Sequence, residues 1–115
     1  MIKGWLTQIA RKAREIAPKE CKAADFSIGV EVTGTDSSRW IVTLADGKVE
    51  TRTKEEVKVT FFVGQNHLRA LSMHLRHKYW KEAFAAQNVR FHADDPALLE
   101  KLVPIAAAAE KADAA

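Results

Sequence analysis

The spacing of apolar side chains changes near residue 22, and this change restricts the chain to folds that combine helices with a sheet. Before it, apolar residues recur every three or four positions, which predicts an amphipathic helix ending near Pro18. After it, apolar residues alternate with small or polar ones over residues 26–32, as expected of a strand with one buried face. The helical stripe consists of Ile2, Trp5, Leu6, Ile9, Ala13 and Ile16, and the strand stripe of Phe26, Ile28, Val30 and Val32.

Three more strands are predicted at hairpin spacing. A turn over residues 34–38 leads to alternation over residues 40–44, and Ala45-Asp46-Gly47-Lys48 predicts a tight turn into a short strand through Val49 and Thr51. Glycine suits that turn because it adopts a positive φ without a steric penalty. The fourth strand is predicted over residues 55–63, with Phe62 on one face and Val57, Val59, Phe61 and Val63 on the other.

The remaining residues predict helices and one further strand. A helix opens at Gln65 or Asn66, and a bend near residues 77–78 separates it from a second helix. A brief strand over residues 89–92 is followed by Asp94 or Asp95 before Pro96, which indicates a helix start because a carboxylate caps free amides. The first helix carries Leu68, Leu71 and Leu75, the second Tyr79, Trp80, Ala83 and Phe84, and the closing helix Leu98, Leu99, Leu102 and Val103. The Ala-rich tail, residues 106–115, is predicted to fray.

The predicted order is one helix, four strands, one or two helices, a fifth strand and a closing helix. This order predicts an α+β fold, in which a mainly antiparallel five-stranded sheet has helices covering one face. A length of 115 residues suits a single domain over residues 1–115. With 47% hydrophobic and 29% charged residues, the composition is typical of a globular chain.

Cysteine usage and hydropathy bear on the compartment. Cys21 is the only cysteine, which excludes an internal disulfide and is typical of a reducing compartment. No apolar run reaches the length of a membrane span, and the N-terminal residues lack the ordered regions of a signal peptide. We therefore expect a cytoplasmic protein.

With these elements in place, the sequence resembles the sterol carrier protein-2 family, small intracellular domains that hold lipids or other apolar ligands in a tunnel between a sheet and its helices. The resemblance covers most of the chain. It rests on Trp40-Ile-Val-Thr-Leu-Ala-Asp46-Gly47 at the hairpin and on the strand over residues 57–63 that leads into residues 68–75. Trp80-Lys-Glu-Ala-Phe84 followed by Val89-Arg-Phe91, and the closing Leu98-Leu99-Glu-Lys-Leu102, extend it.

Apolar side chains at the predicted inward positions fit two interpretations. Periodicity alone allows either a closed core or the wall of a tunnel, because both bury the residue. The resemblance implies the tunnel, with the ligand between the sheet face and the helices over residues 65–86 and 95–105. The ligand-binding residues that it implies are Trp40, Phe61, Leu71, Leu75, Trp80, Phe84, Phe91, Leu99 and Val103.

The predicted first helix has a cationic outer face, since residues 1–22 hold six basic side chains against two acidic ones. Such a face is either solvated or a contact surface for an anionic membrane or an acidic partner, where each basic side chain contributes about 1 kcal/mol. The candidate contact residues are Trp5, Arg11, Lys12 and Arg14. The net charge of +3 is too weak to imply nucleic acid, and we expect no nucleic-acid partner.

The reactive residue types form no known catalytic or metal-binding pattern. His67, His74 and His77 approach one helix face, but no carboxylate or cysteine lies beside them at ligand spacing, so we expect no metal or other cofactor. Ser72 and His74 lie two apart on a helix and point away from each other. We therefore expect a non-enzymatic protein that binds or transfers a lipid or other apolar molecule. The alternative is an accessory interaction module that presents lipid intermediates to an enzyme complex, for example in quinone biosynthesis.

Overall fold

The computed structural model describes residues 1–34, 37–52 and 56–114, which form one sheet and its covering helices. The strands are β1 (Ser27–Thr33), β2 (Ser38–Thr43), β3 (Lys48–Thr51), β4 (Val59–Gly64) and β5 (Val89–Ala93). The helices are α1 (Ile2–Ile16), α2 (Pro18–Ala23), α3 (Gln65–Met73), α4 (His77–Ala85), α5 (Pro96–Glu100) and α6 (Val103–Asp113). The predicted α+β class and element order are confirmed, with the short α2 as an addition that begins at Pro18.

The five strands lie in the order β3-β2-β1-β4-β5. Neighbouring strands are antiparallel except β1 and β4, which run parallel with Ile28 beside Val59 and Val32 beside Val63. The prediction of a mainly antiparallel sheet is confirmed, and the central parallel pair makes the sheet mixed. This pair can form because the chain crosses from β3 at one edge to the far side of β1 before it enters β4.

Val57 does not lie on the face for which it was predicted. The strand β4 begins at Val59, whereas Val57 packs on the opposite face, where its Cγ2 would lie 2.6 Å from a Cβ atom added to Gly29. The alternation of a strand does not extend to Val57, because the chain is still crossing the sheet at that point. The predicted strand start at residue 55 lies outside the described residues.

The rest of β4 follows the predicted alternation. Val59, Phe61 and Val63 are buried in the core, and Phe62 points to the other face, where the Arg90 guanidinium lies 4.1 Å from its ring centroid. The hairpin turn is also confirmed, because Gly47 has a φ of 72° and its amide donates to the Thr43 carbonyl at 2.8 Å. Of the predicted turn over residues 34–38, residues 35 and 36 lie outside the described part of the chain.

The single closing helix of the prediction is instead two helices, α5 and α6, separated at Lys101 and Leu102. Pro104 explains the break, because proline lacks an amide proton and is tolerated only in the first turn of the helix that follows. The predicted cap is confirmed: the Asp95 side chain accepts a hydrogen bond from the Ala97 amide at 3.0 Å. The tail predicted to fray is helical as far as Asp113, and fraying stays a prediction.

The core lies between one face of the sheet and the helices. Val59 and Leu68 are fully buried at its centre, and α1 packs against α3 above them. Helices thus cover one face of the sheet, as predicted. In the described ranges no helix has the length and hydropathy needed to cross a membrane.

Candidate ligand-binding cavity

An apolar cavity of about 410 Å³ lies between the covered face of the sheet and helices α1, α4, α5 and α6. Its volume falls in the range of about 300–1,000 Å³ that is typical of small-molecule sites. Of its 22 lining residues, Lys12 and His77 carry ionisable groups and the other twenty are aliphatic or aromatic. A site of this kind binds its ligand through burial of apolar surface rather than through many polar contacts.

Seven of the nine ligand-binding residues implied by the resemblance meet in this cavity. They are Phe61, Leu75, Trp80, Phe84, Phe91, Leu99 and Val103. Trp40 and Leu71 lie off its wall. Trp40 packs beside the core and donates from Nε1 to the Ser38 hydroxyl at 2.7 Å, and Leu71 is buried in the core itself.

Aromatic rings form one continuous section of the wall. The ring centroid of Phe61 lies 4.7 Å from that of Phe91 and 5.6 Å from that of Trp80. Phe84 continues the series, with its centroid 5.9 Å from Phe91 and 6.5 Å from Trp80. Because β4, β5 and α4 each supply part of this section, its shape depends on the packing of α4 against the sheet.

Sequence reasoning missed the part of the wall that α1 and α6 supply. It identified the apolar stripe of α1 and assigned its cationic side to a membrane or partner, but the stripe itself lines the cavity. No periodic signal distinguishes a stripe that faces a cavity from one that faces a filled core. The missed residues are Leu6, Ile9, Ala10, Ala13 and Ile16 of α1, Ile105, Ala106 and Ala109 of α6, Ile28 and Val30 of β1, Val42 and Leu44 at β2, Leu102, and the ionisable Lys12 and His77.

Helix α6 lies across the cavity and is joined to α4 by polar contacts. The Asp113 carboxylate accepts a hydrogen bond from the Lys78 amide at 2.9 Å, and Arg76 Nη2 donates to the Asp113 carbonyl at 3.2 Å. Further along, Lys81 Nζ lies 3.3 Å from Glu110 Oε1. Because later residues of α4 meet earlier residues of α6, the two helices run antiparallel.

Asp113 is held as a carboxylate at this contact. Burial raises the pKa of its carboxyl group, but the amides of Lys78 and His77 and the positive charges of Arg76 and His77 lower it. The lowering effects together exceed the burial effect, so the pKa lies below its ordinary value. The contact is therefore charged at neutral pH.

The four candidate contact residues of α1 are placed in different surroundings. Trp5 is half-buried against the core, and Arg11 and Arg14 are exposed. The guanidinium of Arg14 lies over the turn at Gly47, whereas Lys12 lines the cavity. Contact of this helix with a membrane or an acidic partner stays a prediction, and Arg11 and Arg14 are the residues best placed for it.

The remaining reactive side chains are dispersed. The His74 ring lies 5.0 Å from the Tyr79 ring, and His77 is in the cavity wall. Within the described ranges, no three potential metal ligands come together. Cys21 is buried, and burial raises the pKa of its thiol, to which Glu20 adds while Arg14 acts in the opposite direction.

The five-stranded mixed sheet covered on one face by helices matches sterol carrier protein 2 domains, and this chain has that fold. The sterol carrier protein domain 2 of Helicoverpa armigera superimposes with a TM-score of 0.67 at 17% identity, covering 93% of this chain and 86% of that one. Comparison with protein-family models and with curated protein sequences finds no match.

Two further solved structures share the fold. Sterol carrier protein 2 from Aedes aegypti, in complex with palmitate, has a TM-score of 0.58 at 18% identity over 94% of this chain and 96% of its own. The UbiJ-SCP2 ubiquinone synthesis protein has the same TM-score and identity, and the superposition covers 95% of this chain and 92% of that one. At these identities the similarity defines the fold alone.

Proposed function

We propose that this protein binds and carries an apolar or amphipathic small molecule in the cavity between the sheet and helices α1, α4, α5 and α6. The observation that carries the proposal is the cavity itself, about 410 Å³ with an almost entirely apolar wall. Transfer of a ligand methylene from water into such a wall contributes about 0.8 kcal/mol before ordering costs. The palmitate bound by the Aedes aegypti neighbour is consistent with a ligand of this kind.

The proposed role is non-enzymatic. The Ser72 hydroxyl donates to the Arg69 carbonyl at 2.7 Å, so it is engaged with its own helix rather than with a base. Within the described residues, the ionisable side chains of the cavity wall are Lys12 and His77. Neither side chain has a nucleophilic hydroxyl or thiol beside it in that wall.

Native mass spectrometry and a binding titration test the proposal. We expect the purified protein either to retain a lipid mass or, once stripped, to bind dodecanol. Ala109 lines the cavity, whereas Ala107 of the same helix does not, so Ala109→Trp and Ala107→Trp form a matched pair. Ala109→Trp should reduce dodecanol binding and Ala107→Trp should leave it unchanged. Equal binding by both variants would place the ligand elsewhere.

A second candidate is an accessory module that presents lipid intermediates to an enzyme complex. It is proposed because the UbiJ-SCP2 ubiquinone synthesis protein shares the fold over nearly the whole of both chains. Both candidates bind a lipid, so they differ in their partners: the module should retain a defined enzyme in a pull-down, whereas a carrier that acts alone should retain none. Addition of a quinone precursor to the stripped protein would then distinguish a quinone-related ligand from other lipids.

A further inference from the structure

Helix α6 is the last element of the chain, and it packs on the surface of the body that the other elements form. The structure describes all eleven of its residues, and none of them is buried or belongs to the core. Ile105 and Ala109 line the cavity, whereas Ala107 and Lys111 are exposed. The helix can therefore leave its place without disrupting the buried core between the sheet and α3.

The polar contacts of α6 join its C-terminal end to the cationic side of α4 and to Arg76, the N-cap residue of that helix. Asp113 Oδ1 lies 3.7 Å from Arg76 Nε, and Asp113 Oδ2 accepts a hydrogen bond from the Lys78 amide at 2.9 Å. One turn earlier, Glu110 Oε1 lies 3.3 Å from Lys81 Nζ. This surface is therefore complementary to a helix that carries two carboxylates one turn apart, and α6 is such a helix.

The strength of these contacts is modest. The side chains of Lys81 and Glu110 are both 62% exposed. Exposed ion pairs contribute little to stability because water and salt screen them. The contacts thus determine where α6 lies more than how firmly it is held.

The connection that precedes α6 is short and favours an extended backbone. Lys101 and Leu102 separate α5 from α6, and Pro104 follows Val103 at the start of α6. Proline disfavours the helical conformation in the residue before it and favours an extended one. An extended hinge carries a terminal element away from its own chain, and short hinges favour the exchange of such elements between chains. Once released, α6 could occupy the identical surface on a second copy.

We propose that two copies of this chain exchange α6 and form a domain-swapped dimer. In this dimer Glu110 and Asp113 of each copy pair with Lys81 and Arg76 of the other copy, and α6 of each copy completes the wall of the other's cavity. The contacts are those of the single chain, so the exchange produces a dimer at little cost in interaction energy. The proposal goes beyond the proposed function, because the assembly does not require a bound ligand.

Cross-linking of the parent chain tests the exchange directly. Isotopically light and isotopically heavy protein are mixed, concentrated, incubated and treated with a carbodiimide, which joins an amine to a neighbouring carboxylate. We expect Lys81–Glu110 cross-links that combine one light and one heavy peptide, in a proportion that rises with protein concentration. Lys48 Nζ and Glu50 Oε1 are also 3.3 Å apart but lie within β3, so their cross-links should carry one isotope only. The same result for Lys81–Glu110 at every concentration would overturn the proposal.

Charge reversal gives an independent test. Lys81→Glu and Glu110→Lys each place like charges together in the single chain, whereas a swapped dimer of the two variants restores both pairs of opposite charge. We expect the mixture to associate about tenfold more strongly than either variant alone in analytical ultracentrifugation. Lys48→Glu mixed with Glu50→Lys is the matched control, and this mixture should associate no more strongly than its components.

The mixture of the Lys81→Glu and Glu110→Lys variants also identifies the surface that forms the dimer. The intact Lys81 and the intact Glu110 then lie on different chains, so a carbodiimide cross-link between them requires the swapped arrangement. A dimer that lacks this cross-link uses another surface, and it would overturn the proposal. Equal association of the mixture and of each variant alone would overturn it as well.

Discussion

The carboxylate of Asp113, the last residue of α6, accepts a hydrogen bond of 2.9 Å from the backbone amide of Lys78 in the first turn of α4. The N-cap residue of α4, Arg76, forms no side-chain cap bond of its own. Asp113 therefore does for α4 what a local cap does for other helices, from 35 residues further along the chain. One hydrogen bond links the stability of α4 to the position of the helix that covers the cavity.

Asp113→Ala should loosen α6 without unfolding the sheet, because it removes the acceptor at the end of that helix. We expect the amides of α6 to exchange with solvent several-fold faster, and those of β1 and β4 to keep their rates. Hydrogen exchange measured by mass spectrometry checks this. Asp25→Ala removes an exposed carboxylate between α2 and β1 and serves as the control. Equal exchange in α6 of both variants would contradict the linkage.

The same contact should depend on pH. Since the pKa of Asp113 in the folded protein is below its ordinary value of 3.8, its stabilising effect is present above that value and is lost as pH falls through the folded pKa. The groups that act on it are His77 and Lys78 of α4 and Arg76, the N-cap residue of that helix, and Lys12 of α1 lines the same depression. The chemical shift of the Lys78 amide proton should therefore titrate with a midpoint below 3.8.

Asp113→Asn keeps a hydrogen-bond acceptor and removes the titrating group. This variant should abolish the titration of the Lys78 amide chemical shift. It should also keep that shift at a value typical of a hydrogen-bonded proton. A midpoint at or above 3.8 in the parent protein would show that burial outweighs the hydrogen bonds.

Gly29 should be intolerant of a side chain because the segment that crosses the sheet lies directly against it. A Cβ atom there would lie 2.6 Å from Val57 Cγ2 and 2.9 Å from Arg52 Nη1. Gly29→Ala should lower the free energy of unfolding by about 1–3 kcal/mol in chemical denaturation. In a Val57→Ala background, Gly29→Ala should lower the free energy of unfolding by a smaller amount. An equal decrease in both backgrounds would show that the destabilisation arises in the strand backbone.

Gly4, unlike Gly29, should tolerate replacement by alanine. Nothing lies within 4 Å of a Cβ atom added at this position in α1. Gly4→Ala should therefore raise the free energy of unfolding by about 0.5–1 kcal/mol, because alanine restricts the unfolded chain.

Phe84→Asp should weaken ligand binding more than it affects folding. Phe84 is 42% exposed yet lines the cavity, so a carboxylate there remains hydrated while it removes an aromatic contact. We expect dodecanol affinity to fall about tenfold and the free energy of unfolding to change by about 1 kcal/mol. Met73→Asp, at a 63% exposed residue outside the wall, should leave affinity unchanged. Unchanged affinity in Phe84→Asp would remove this residue from the site.

The exposed basic residues of α1 should govern any attraction to anionic membranes. Arg11→Glu with Arg14→Glu reverses two charges outside the cavity wall, so ligand binding is unaffected. Co-sedimentation with phosphatidylserine vesicles at low salt should fall at least about tenfold. Lys58→Glu with Lys101→Glu changes the total charge equally at other exposed residues and is the control. Equal sedimentation of the two variants would exclude a specific role for α1.

Local chemistry explains which elements could be predicted. The turn at Gly47 and the cap at Asp95 follow from neighbouring residues, and both are present as predicted. The face of Val57 and the parallel pairing of β1 with β4 depend on where the chain crosses the sheet. No short-range pattern encodes that path, and these two features were missed.

The residues of the candidate site also fall into two groups, those that local patterns predict and those that only tertiary packing places. Phe61, Trp80 and Phe91 were predicted to face inward, and they do so because their elements alternate or turn with a regular period. Ala106 and Ala109 carry too little apolar surface to stand out in the sequence. They line the cavity because the break before Pro104 redirects α6 across it, an effect that depends on tertiary packing.

The central parallel pair has a consequence for biosynthesis. As the nascent chain leaves the ribosome, β1, β2 and β3 emerge together and can form a meander, but the other edge of β1 has no neighbour until residue 64 has been made. Until then that edge presents unpaired amides and carbonyls between Ile28, Val30 and Val32, a template for association with another chain. Translation through β4 allows this edge of β1 to be paired, and the unpaired edge then moves to β4 until β5 has been made.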